Sequence, residues 1–161
     1  MKISVRLNLL ACAGALLAWG GSASLGATPE TDQEQTIKCR SVPSEVRTAF
    51  QKAYPNATIR GCSKEVEEGR TAYEISSTDG KTRRDVLFYQ DGTLIVVEET
   101  IAAGAIPEPV RQAVSQKFPD YAIELAEKVT REAVVTYEFS LRHRGKLVEV
   151  AFDTNGKEVT P

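Results

Sequence analysis

Few residues in this chain could do chemistry, and their spacing restricts what they could do. The only histidine, His143, sits in Arg142-His143-Arg144-Gly145. A lone histidine between two arginines reads as a solvated turn residue. No G-x-S-x-G or H-E-x-x-H motif is present, and no serine or cysteine lies in a motif with a base. Asp79-Gly80, Asp91-Gly92 and Asn155-Gly156 lack the alternating oxygen ligands of a calcium loop and read as turns. Glu65, Glu67 and Glu68 form an acidic cluster that reads as a solvated loop face. No catalytic residue, metal ligand set or cofactor is expected. Two carboxylates stand out because each follows a tyrosine: Tyr73-Glu74 and Tyr137-Glu138. Either each glutamate pairs with a basic residue on a neighbouring strand, or both face a partner from an open sheet. A paired-carboxylate enzyme is disfavoured, because equivalent positions on two repeats need not converge on one substrate.

These pairs belong to an internal repeat. Pro43 returns 64 residues later as Pro107, and Val46, Arg47 and Ala49 return as Val110, Arg111 and Ala113. The match continues through Pro55 and Pro119, Ile59 and Ile123, Val86 and Val150, Phe88 and Phe152, Gly92 and Gly156. Self-similarity at a fixed offset marks a tandem duplication. Each unit opens with a helix. Val46, Ala49, Phe50, Ala53 and Tyr54 make one apolar stripe, and Tyr54-Pro55 and Phe118-Pro119 end the helices.

Strands are expected at 57–66, 71–77, 84–89 and 93–99, then at 121–130, 134–142 and 146–152. The last strand, 157–161, is cut short by the end of the chain. Asp91-Gly92 and Asn155-Gly156 suggest type I′ hairpins. The fold class is α+β: two tandem repeats, each a helix on a three- to four-stranded antiparallel meander. The reading divides the chain into a signal peptide (1–27), a polar lead-in (28–41), repeat 1 (42–99), a linker (100–105) and repeat 2 (106–161).

The N-terminus carries Lys2 and Arg6, then a mostly apolar run from Leu7 to Trp19, then small residues. This is a secretory layout, with cleavage after Ala23 or Ala27. Cys12 lies inside the apolar run, which disfavours a lipid anchor there. The mature chain has no second apolar segment long enough to span a membrane, so it is expected in the periplasm or outside the cell. Cys39 and Cys62 are then an even pair in an oxidising compartment and read as a disulfide. Without residues 1–27 the chain holds 18 basic and 22 acidic side chains. That mildly acidic balance lacks the basic footprint for nucleic acid or anionic lipid.

The helix opening with Val42-Pro43, the Tyr-Pro stop, the Tyr-Glu pair and the Asp-Gly hairpin resemble the PepSY-like domains of exported bacterial proteins. These domains are also described as resembling the β-lactamase inhibitory protein. Pro43, Pro55, Tyr73, Glu74, Pro107, Pro119, Tyr137 and Glu138 carry the repeat signature. The resemblance implies a non-enzymatic binding or inhibitory module, with peptidases as the implied targets and another exported protein as the expected partner. It implies no cofactor. If Val86 and Phe88 face the helix, Asp85, Leu87 and Tyr89 face outward, and Glu149, Ala151 and Asp153 do so in the second unit. Either a partner or the second unit covers that face. Glu74, Leu87, Tyr89 and Glu138 are therefore the candidate contact residues. An alternative function is a small-ligand or cation sensor in the envelope, using the cleft between repeats.

Overall fold

A computed structural model describes residues 34–160. The expected signal peptide, both cleavage positions and Cys12 lie outside the described residues. Among the described residues, nine strands form one antiparallel sheet in chain order. They are β1 (Gln35–Ile37), β2 (Thr58–Glu67), β3 (Arg70–Asp79), β4 (Thr82–Tyr89) and β5 (Leu94–Thr100), then β6 (Ala122–Arg131), β7 (Val134–His143), β8 (Lys146–Asp153) and β9 (Glu158–Val159). Helix α1 (Ser44–Ala53) precedes β2 and helix α2 (Glu108–Lys117) precedes β6. The α+β class and the paired helix-and-meander pattern are as the sequence indicates. The meanders are not separate layers, however: β5 pairs directly with β6, from Val96↔Arg131 to Thr100↔Glu127.

Both helices lie on one face of this sheet. Val46 and Phe50 of α1 pack with Ile75, Val86, Phe88 and Val97. Val110 and Val114 of α2 pack with Phe139, Leu141, Val150 and Phe152. Tyr73 and Tyr137 join these same two clusters. Ala53, placed in the apolar stripe by its spacing, is exposed at the end of α1. Tyr54 packs against the α1 cluster and also lies under the Arg84 guanidinium, 4.2 Å from its ring centroid, and Arg84 bonds Glu99 at 2.6 Å.

The hairpin turns correct the sequence reading. Gly92 (φ 84°) and Gly156 (φ 80°) have positive φ, but Asp91 and Asn155 do not. Gly92 N donates to Tyr89 O, which makes a type I turn followed by a left-handed bulge glycine. Gly156 repeats the geometry against Asp153 O. Two-residue turns with both residues at positive φ occur instead at Glu68-Gly69 and Arg144-Gly145. Bulges also shift the strand alternation between Ile59 and Gly61 and between Ile123 and Leu125. After the second of these, Ala126 rather than Leu125 enters the α2 core.

The segment read as a lead-in supplies edge strand β1, with Ile37 opposite Cys62. Cys39 and Cys62 form a disulfide with a Cα–Cα distance of 5.2 Å. The segment read as a linker begins with the last residue of β5 and contains a 3-10 turn at Ala103–Ala105.

A Cβ on Gly156 would stand 2.5 Å from Pro109 O, and one on Gly92 would stand 3.0 Å from Glu45 O. Gly156→Ala should cost about 2 kcal/mol or more in urea unfolding, from the positive φ together with the clash, and Gly92→Ala should cost less. Peptide mapping of unreduced protein should find Cys39 joined to Cys62, and Cys39→Ala should cost about 3 kcal/mol by the same assay.

Candidate interaction face

The sheet register defines the face turned away from the helices. One row runs Ser63↔Glu74↔Leu87↔Val96↔Arg131 across β2 to β6. The next runs Ser76↔Asp85↔Glu98↔Val129 across β3 to β6. Further along, Thr100, Glu127, Glu138 and Ala151 align across β5 to β8, and Ser140 aligns with Glu149.

This outer face is concave. Glu67 and Arg131 both point outward and form an ion pair at 2.8 Å. Their strands are four steps apart in the sheet. On a flat sheet those steps would separate β2 from β6 by about 19 Å. Two outward side chains can meet over that interval only if the sheet curls toward them. A third apolar cluster, Ala72, Leu87, Ile95 and Val96 with Tyr89 and Val129, lies inside the curl. At its rim the Arg70 guanidinium covers the Tyr89 ring at 3.6 Å, and Tyr89 Oη donates to Glu68 at 3.2 Å.

The four candidate contact residues are all on this face, but their exposure differs from the expectation. Leu87 is fully buried in the apolar cluster. Glu74 is 4% exposed and accepts a hydrogen bond from Ser76 Oγ at 3.3 Å. Tyr89 is half-buried under Arg70. Glu138 is half-buried, and the residue directly across from it is Glu127 rather than a lysine or arginine. Burial raises the Glu138 pKa, and the charges of Glu127 and Glu149 add to the rise. Burial also raises the Glu127 pKa, with Asp85 adding to it and Arg83 opposing it.

Other sequence-singled residues have structural work. Glu67 and Glu68, read as part of a solvated cluster, bond Arg131 and Tyr89. His143 stacks on Tyr121 with centroids 5.0 Å apart, and its Nδ1 lies 2.8 Å from Asp120 O. Glu127 and Arg131 were not apparent as site residues. One signal for the Glu67–Arg131 pair was available, since the two residues occupy the same position in the two repeats. Among the described residues, no group of three or more His, Cys, Asp or Glu side chains could hold a metal ion. No described helix is long and apolar enough to cross a membrane.

The model of a family described as beta-lactamase-inhibitor-like and PepSY-like matches residues 26–96 and again 71–159. The chain belongs to the PepSY-like family. Solved structures with the same fold include a BLIP-like protein from Bacteroides fragilis, at 19% identity and TM-score 0.58, covering 73% of this chain and 84% of that one. A presumed periplasmic protein from Bacteroides eggerthii is 17% identical with TM-score 0.64, covering 74% of this chain and 86% of its own. A DUF2874 family protein from Bacteroides ovatus is 14% identical with TM-score 0.61, at the same two coverages. At these identities the likeness is one of fold. No curated protein matches the sequence of this PepSY-like chain.

The raised carboxyls give a pH-dependent prediction. Folding raises both pKa values above the ordinary 4.5, so the folded state holds these protons more tightly than the unfolded chain does. The resulting stabilisation is complete below pH 4.5 and is lost as pH rises through the higher folded values. Glu138→Gln should therefore raise Tm at pH 7 and leave it unchanged at pH 4. An equal shift at both pH values would contradict the electrostatic cause.

Proposed function

We propose that this protein is an exported, non-enzymatic binding module that holds another exported protein in the concave outer face of its sheet. The observation that carries the reading is the curl recorded by the Glu67–Arg131 pair, which gives a single sheet an inner surface of apolar and acidic side chains. A curved sheet on which half-buried Tyr89, Val129 and carboxylates surround a closed apolar cluster suits a protein partner better than a small molecule. The name of the family, beta-lactamase-inhibitor-like, supports inhibition of an envelope or secreted hydrolase as the outcome of binding, and a peptidase is the target class we favour. The two repeats, 42–99 and 106–161, then serve as the two halves of one surface, and residues 1–27 serve for export. Glu74 and Leu87 shape the centre of that surface, while Tyr89 and Glu138 lie nearer its reach.

The reading predicts a stoichiometric complex when immobilised protein meets native envelope and secreted extract. Tyr89→Ala or Glu149→Arg should weaken that complex at least tenfold. Arg111→Ala, on the exposed side of α2, should not. A complex sensitive only to the helix substitution would place binding on the other face.

A further inference from the structure

The outer edge of β8 is open where the same edge of the first repeat is closed. Strand β9 pairs with β8 only at Ala151↔Val159 and Phe152↔Glu158, so on that side Lys146 to Val150 have no neighbouring strand among the described residues. Asp153 N donates across this edge to Lys157 O. Backbone direction alternates along a strand, so the N–H and C=O of Glu149 and Leu147 point the same way, into the opening. Their counterparts 64 residues earlier, Asp85 and Arg83, are both engaged. Asp85 pairs with Glu98 of β5. Thr100 Oγ1 accepts from Arg83 N at 2.8 Å and donates to Arg83 O at 3.4 Å. The residue between them differs in kind. Arg84, which bonds Glu99 of β5, has Val148 as its counterpart. Val148 packs on the α2 core and is half-buried, and Leu147 is 38% exposed. Strand β8 holds no proline and pairs β7 without a bulge, so it lacks two of the devices that keep edges from pairing.

We infer that this edge takes up an extended segment of another protein as an added antiparallel strand. The first repeat supplies the pattern of the occupant. There β5 sets Glu99 opposite Arg84. At β8 the residue opposite Val148 is apolar, and its two neighbours exchange backbone hydrogen bonds with Leu147 and Glu149. The chain's own tail cannot complete this ladder. Continuing the register of β9 would bring Pro161 opposite Glu149, and proline has no N–H to donate. A second copy of β8 fits poorly, because antiparallel pairing centred on Val148 sets Leu147 opposite Glu149. The edge is a surface separate from the concave face, and the inference stands apart from that reading.

The test uses the full chain and three capped heptapeptides. The parent is Thr-Val-Thr-Val-Thr-Val-Thr. One control carries N-methyl groups on the threonines, and the other has serine in place of valine. In an amide NMR titration the parent should move Leu147 and Glu149 and leave β1 and β2 unmoved. Both controls should bind at least tenfold more weakly, since one cannot form the ladder and the other leaves Val148 uncovered. Leu147→Pro should weaken the parent as much, and it costs the fold no ladder bond because that N–H faces away from β7. Equal binding of parent and N-methyl peptides, or shifts confined to other strands, would overturn the inference whether or not the variant folds. A peptide-free dimer in light scattering that Leu147→Pro makes monomeric would overturn it too, by naming a second copy as the occupant. These outcomes leave the concave-face reading to its own test on the captured complex.

Discussion

The pairing of β5 with β6 is the contact on which the rest of this molecule depends. It converts two helix-and-meander units into one nine-stranded sheet. Without it each unit would present a free edge, and free edges invite pairing with other chains. With it, α1 and α2 cover one face side by side, and the opposite faces of both units become a single surface. The order of the elements makes this economical, because the turn at Ala103–Ala105 and α2 lead from β5 back to β6 without crossing another connection.

Once fused, the sheet must bend. Bulges in β2, β5 and β6 add local twist, and the Glu67–Arg131 bond is made where the curl brings distant strands together. That exposed pair is worth at most about 1 kcal/mol by itself. It records the curvature more than it causes it. The apolar cluster around Leu87 and Val96 is better placed to sustain the bend, because it gathers side chains from β3, β4, β5 and β6 on the inner side. Curvature also gives the two faces different characters. The convex face is a closed helix-on-sheet core, while the concave face keeps half-buried carboxylates whose mutual repulsion the fold tolerates.

Much of this was legible in the sequence because it is local. The i, i+3, i+4 stripe of α1, the Tyr-Pro stops and the alternation in β7 each follow from a short window. The 64-residue offset extended those readings to the second half. Elements set by long-range geometry were harder to see. Strand β1 is three residues, Gln35–Ile37, with no alternation to betray it; pairing to β2 and the neighbouring disulfide define it. Asp91-Gly92 carries the usual hairpin dipeptide, yet the close approach of Gly92 to α1 goes with a type I turn and a bulge. Glu138 was legible as a repeated residue, but its neighbour Glu127 emerges only once the bulge at Glu124 sets the register.

The central claim is that the concave face, not the helical face, is where this protein meets its partner. Hydrogen–deuterium exchange on the captured complex tests that most directly. The account predicts slowed exchange in β4 to β8, with α1 and α2 unchanged. Protection confined to α1 and α2 would contradict it.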